Sequence, residues 1–222
     1  MANYIIVGEF GSGKTEIALH LALKMAASGE KAVCLVDLDI VNPYFRSREA
    51  GDKLKRYNIS VISNSLGYEA DLPALSPAVS GVIEQDFPVV FDVGGNETGA
   101  RVLGRFQAQF LQKGYHMWMV VNPYRPESKD IEKILALAGN IEKKSRLRIT
   151  GLIANPNLGS ETEREQWKKG REIVLLAAAQ MKVPLIYSAA GPVLYRQIQE
   201  KYYPEKILHL ELMMRPPWEM EN

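Results

Sequence analysis

The chain has one cysteine, Cys34, set inside an apolar run. A single thiol cannot close an intramolecular disulfide, which excludes a disulfide-stapled secreted scaffold and points to a reducing compartment. Long hydrophobic runs are missing as well. None approaches the roughly 20 residues of a membrane span, and the first strand-like run starts too near Met1 to leave space for a signal peptide. Neither sign of charge prevails: 27 Lys plus Arg stand against 26 Asp plus Glu, a formal net charge of +1. A field that weak attracts neither nucleic acid nor anionic lipid. The clusters Lys143-Lys144-Ser145-Arg146 and Lys168-Lys169-Gly170-Arg171 are too short for a nucleic-acid groove and read as solvated faces. A cytoplasmic protein with no membrane and no nucleic-acid partner is expected. Repeats, low-complexity tracts and linkers are absent too, so residues 1–222 are expected to form a single domain with a substantial core.

What the chain does have is Gly8-Glu9-Phe10-Gly11-Ser12-Gly13-Lys14-Thr15, after the apolar run Tyr4-Ile5-Ile6-Val7 and before a helical pattern. Gly-x-x-x-x-Gly-Lys-Thr between strand and helix is the phosphate-binding loop of nucleotide-binding proteins. Glycines let consecutive N–H groups turn inward on an anion, and the helix starting near Gly13 adds unpaired N–H groups and the positive end of its dipole. Lys14 supplies a mobile charge for the β- and γ-phosphates, and Thr15 a hydroxyl for Mg²⁺.

Strand-like and helix-like segments alternate along the rest of the chain. Strands are predicted at residues 3–8, 32–36, 59–62, 88–92, 116–121, 149–154, 183–187 and 207–212. Helices are predicted at 14–28, 79–84, 98–112, 127–142, 161–181 and 193–200, with residues 64–78 irregular. That alternation means an α/β, three-layer P-loop fold with a mostly parallel sheet and helices on both faces.

In such a sheet, ligands sit at the carboxyl ends of the strands. The loop 8–15, Asp37 and Asp39, Asp92 and Gly95, Asn122 and Asn155 all fall at predicted strand ends. Asp92 is placed to hold Mg²⁺ opposite the loop, and Gly95 to offer its N–H to the γ-phosphate. Asp37 and Asp39 project alike from one strand end, so one can support the metal while the other orients an attacking water. A dinucleotide fold would need Gly-x-Gly-x-x-Gly, which the loop lacks. Asn155 either reads a base edge or forms an Asn-Pro turn. His20, His116 and His209 lie inside predicted elements and read as structural.

The order of phosphate loop, Asp37-x-Asp39, Asp92-x-x-Gly95 and Asn155 resembles the MinD/ParA/CobQ-type (SIMIBI class) P-loop ATPases. That group includes the nitrogenase iron protein, the arsenical pump ATPase and dethiobiotin synthetase, and the resemblance spans roughly residues 3–192. It implies that Gly11, Ser12, Gly13, Lys14 and Thr15 bind the phosphates of ATP, with Gly8, Glu9 and Phe10 in the same nucleotide-binding loop and Gly95 and Asn155 also at the nucleotide. It implies Mg²⁺ at Thr15, Asp37 and Asp92, Lys14 and Asp39 as the catalytic pair, Asn155 as adenine reader, and residues 188–192 packed near the base.

Two departures qualify it. Members that clamp ATP between two subunits carry Lys directly after the loop's first glycine; here that residue is Glu9, whose charge repels phosphate and argues against an ATP-sandwiched homodimer. Members that share an iron–sulfur cluster need paired cysteines, and Cys34 stands alone. The expectation is a Mg-ATP-binding protein, an ATPase that switches conformation on a protein partner. The alternative is an ATP-dependent ligase or kinase of a small molecule, as in dethiobiotin synthetase; a binding module without turnover is a third, weaker reading.

Overall fold

The computed structural model describes residues 3–30, 32–38, 54–63, 76–95, 97–159, 162–198 and 203–211. Its centre is one eight-stranded sheet: β1 (Asn3–Gly8), β2 (Val33–Asp37), β3 (Ile59–Ile62), β4 (Val89–Asp92), β5 (Tyr115–Val121), β6 (Gly151–Ala154), β7 (Leu185–Ala190) and β8 (Lys206–His209). Every pairing is parallel, in the order β3-β2-β4-β1-β5-β6-β7-β8. Seven α-helices accompany it among the described residues: α1 (Lys14–Ala27), α2 (Ser76–Ile83), α3 (Glu97–Arg105), α4 (Gln107–Lys113), α5 (Ile131–Ser145), α6 (Arg164–Met181) and α7 (Pro192–Gln197).

Why the inner strands β1, β2 and β4 are apolar between their ends is visible in the two cores. Ile5 and Val7 of β1 join Val36, Phe91 and Met119 in a core capped by α2 to α6. Their neighbour Ile6 points the other way, with Leu35, Val90 and Val120, against Ile17, Leu21 and Ala22 of α1. Side chains alternate across a strand, so a strand covered on both faces must be apolar at every position. Asp37 and Asp92 are the last residues of β2 and β4, and Asn122 and Asn155 directly follow β5 and β6. The strand ends thus collect the polar residues on one rim of the sheet.

Several elements depart from expectation in their bounds. The helix predicted over 98–112 is two helices separated at Phe106. Next to the break, Arg146 Nη2 donates to the Gly104 carbonyl, an acceptor that a continuous helix would need for itself. The helix predicted over 127–142 starts only at Ile131, because Asp130 caps it by accepting from Lys133 N at 2.9 Å, and Pro126–Ser128 forms a separate 3₁₀ turn. Strand β7 starts at Leu185 rather than 183, because Val183 N still donates to Ala178 O in closing α6. Residues 76–78, expected to be irregular, open α2, which ends at Ile83.

Of the histidines read as structural, His209 stacks on the Tyr195 ring. The His116 ring stacks on Tyr4, and His20 Nε2 accepts from Glu211 N at 2.9 Å. Arg171, expected on a solvated face, instead has a side chain only 11% exposed and paired with Glu205. No helix among the described residues is long and apolar enough to cross a membrane.

Candidate functional site

The phosphate loop leaves β1 at Gly8, where a Cβ would run into the Val120 carbonyl of β5. It turns back on itself through Ser12 N, which donates to Glu9 O at 3.2 Å. Gly13 then opens α1 with a φ of +89°, a conformation that favours glycine, and no side chain caps the helix. The first-turn N–H groups are therefore left for an anion. Ser12 Oγ is buried with no hydrogen-bond partner among the described residues, a polar atom that a phosphate oxygen would satisfy. Lys14, 7% exposed, donates its Nζ to Glu9 O at 2.9 Å inside the loop.

Thr15 Oγ1 donates to Asp92 Oδ2 at 2.7 Å. Asp37 and Asp92 are register partners on β2 and β4 and are 3% and 2% exposed. Paired positions on adjacent parallel strands are about 4.8 Å apart and face the same side, so two buried carboxylates stand together beside a hydroxyl. Like charges so placed favour a cation. No group of three or more His, Cys, Asp or Glu able to hold a metal occurs among the described residues. Two carboxylates and a hydroxyl nevertheless suit Mg²⁺, which draws its remaining ligands from water and substrate phosphates.

Beyond β4, Gly95 lies against this cradle: a Cβ there would stand 2.6 Å from Phe10 N and 2.7 Å from Lys14 Nζ. Phe10 itself is 70% exposed. The loop after β5 closes the other side. Glu9 is buried, with Oε1 accepting from Glu127 N at 3.0 Å and Oε2 within 2.7 Å of Ser128 Oγ. The carboxylate expected to repel phosphate is committed to this loop. Arg125 Nε donates to Gly11 O at 3.0 Å, a contact that sequence reasoning misses. The residue's only signal is its place just past a strand end.

Asn155 sits against Gly13, and its Nδ2 donates to Ser12 O at 2.8 Å. Neither a base edge nor a turn anticipates that contact, which braces the phosphate loop. Asn122 is a scaffold: Nδ2 donates to Asn157 O at 2.9 Å, and Oδ1 accepts from Tyr124 N at 3.1 Å. Asp39, the expected catalytic acid, lies outside the described residues, as do residues 42–48 and 64–75.

Ser188, at the start of the segment expected near the base, donates to Glu205 Oε1 at 2.5 Å. Arg171 meets the same carboxylate through Nε at 2.5 Å and Nη2 at 2.7 Å. Burial disfavours the charged form of Glu205, but the bonds from Arg171 and Ser188 together outweigh it and hold the carboxyl below its ordinary range. The bond to Glu205 raises Arg171 in turn.

A family model described as the CobQ/CobB/MinD/ParA nucleotide binding domain matches residues 5–174. The chain belongs to that family. Solved structures share the fold of this family member at low identity. The cell division protein FtsY of Thermotoga maritima is 18% identical with a TM-score of 0.58, covering 86% of this chain and 62% of that one. The chloroplast FtsY of Physcomitrella patens is 20% identical with a TM-score of 0.58, covering 86% and 59%. A nucleotide-binding protein of Archaeoglobus fulgidus, in complex with ADP, is 20% identical with a TM-score of 0.52, covering 84% and 80%. The family member thus spans less than two thirds of the length of these FtsY structures. No curated protein matches the sequence.

Proposed function

We propose that the protein binds Mg-ATP and hydrolyses it slowly to ADP and phosphate, using the cycle to switch its conformation on a protein partner. The observation that carries this reading is the Thr15–Asp92 bond with Asp37 in register beside it, at the foot of a glycine cradle holding Lys14. Thr15, Asp37 and Asp92 would hold the Mg²⁺, which would supply neutralisation of the phosphate charge. Lys14 exchanges its bond to Glu9 O for the phosphates. Gly95 offers its N–H at the γ-phosphate, an interaction that hydrolysis breaks, and so couples the loop after β4 to the state of the nucleotide. Asp39 is the proposed orienter of the attacking water. Asn155 braces the loop with Nδ2 and keeps Oδ1 as an acceptor for the adenine amino group.

The second reading, transfer of the γ-phosphate to a small molecule, is favoured by one observation. Glu9 is bound within its own chain and carries no cation toward another subunit. Calorimetry on wild type and Lys14→Ala tests the site. Wild type is expected to bind Mg-ATP and the variant to lose binding by about 10-fold or more; equal binding by the two overturns the assignment. Turnover that stays negligible until one metabolite is added would decide for the second reading.

A further inference from the structure

Among the described residues, one lysine, Lys14, stands in the cradle with the buried carboxylates of Asp37 and Asp92, and Glu9 buries a third against the loop after β5. A Mg²⁺ held there would offset the pair at Asp37 and Asp92, so a triphosphate, a polyanion, would find little further cationic support among the described residues. A second cation is already at the loop. Arg125 reaches Gly11, whose missing side chain leaves room: a Cβ there would stand 3.2 Å from the Arg125 Cζ. Among the described residues the guanidinium is engaged through Nε alone, on Gly11 O at 3.0 Å, and the side chain is exposed. No described residue takes its other four N–H donors, which can turn to a ligand.

The backbone that carries Arg125 is held on every side. Arg125 N donates to Asn122 O at 2.9 Å, and Ser128 N to Arg125 O at 3.2 Å. Tyr124 OH donates to Gln166 O at 2.7 Å, anchoring the loop to α6. Glu9 fastens it to the phosphate loop through Glu127 N and Ser128. A mobile cationic head on an anchored stem beside a phosphate loop is a preorganised anion contact.

We infer that Arg125 is a nucleotide-contacting residue that leaves Gly11 O to grip the terminal phosphates from within the same chain, and that Glu9 is the positioning residue that sets it there. The inference rests on the nucleotide-site reading above. Glu9 thereby acquires a purpose. At the position where a lysine would serve a second subunit, its carboxylate fastens an arginine-bearing loop to its own subunit. An arginine supplied in cis stabilises the charge that develops on a transferring phosphoryl group, as one supplied in trans does.

The test is calorimetric titration of wild type, Arg125→Ala, Arg125→Lys and Lys14→Ala with a non-hydrolysable ATP analogue and with ADP, each with Mg²⁺. Arg125→Ala is expected to weaken the analogue by about 10-fold or more and ADP clearly less, with partial recovery in Arg125→Lys. Its thermal midpoint without nucleotide should match wild type, because the side chain is exposed and makes one bond among the described residues. Mixing Arg125→Ala with Lys14→Ala should not restore tight binding of the analogue. Wild-type affinities in Arg125→Ala overturn the inference. So does equal loss of both ligands without rescue by lysine, which would make Arg125 a brace for Gly11. Recovery on mixing overturns its action in cis. If wild type binds neither ligand, the site reading fails and this inference with it; if only Lys14→Ala loses binding, this inference alone fails.

Discussion

At Gly95 the distances decide what the position tolerates. A Cβ would lie 2.6 Å from the backbone nitrogen of Phe10, which cannot swing aside as a side-chain tip can. Gly95→Ala must therefore push the loop after β4 off the phosphate loop. Overpacking of this kind costs about 1–3 kcal/mol, and the affinity for Mg-ATP is expected to fall with it. Denaturant melts and calorimetry check both; a variant with wild-type affinity would detach Gly95 from the site. At this scale, spacing alone put Gly8, Gly13, Lys14 and Thr15 at the turn from β1 into α1 and Asp37 and Asp92 at strand ends, because a Gly-rich turn and the end of an apolar strand are local patterns. Glu9, Arg125 and Asn155 were different. Their side-chain partners lie 118, 114 and 143 residues away, and no local periodicity carries such a contact.

Among the elements, the Arg171–Glu205 pair ties α6 to the chain entering β8, with the Glu205 side chain 1% exposed. The Glu205 carboxyl is held below its ordinary range in the folded chain, so the folded state releases its proton more readily than the unfolded one. The pair's contribution is complete above the unfolded value of about 4.3 and is lost as pH falls from there through the lower folded value. Glu205→Gln is expected to cost about 3–5 kcal/mol near neutrality by leaving Arg171 buried without a counter-charge. It should also flatten the stability profile in that acid window. Urea melts between neutral and acid pH measure both, and a variant as acid-sensitive as wild type would dismiss Glu205 as the titrating group. Helix existence was legible from apolar stripes, while helix ends followed capping. Glu163 and Gln166 form a reciprocal capping box that starts α6 at Arg164, later than the stripe alone suggests.

For the whole molecule, ligand linkage makes the nucleotide reading testable without an activity. Mg-ATP at a hundred times its Kd stabilises a folded protein by about 2.7 kcal/mol, which at about 2–4 °C per kcal/mol for a chain of this size is a rise of roughly 5–10 °C in Tm. Adding a chelator with the nucleotide present should remove most of that rise. If ATP alone protects as well as Mg-ATP, the metal role of Thr15, Asp37 and Asp92 falls while the phosphate loop stands.

By itself the sequence determined the layer order and the chemical kind of the site. Continuous apolar strands require helices on both faces, and the polar residues that end such strands can gather only at one rim of a parallel sheet. Tertiary structure decided how that rim is wired. Gly8 meets Val120, Glu9 faces Ser128 and Arg125 reaches Gly11 only because β5 lies beside β1. Strand order is a property of the assembled sheet, set by which apolar faces bury each other, and it cannot be read from any one segment.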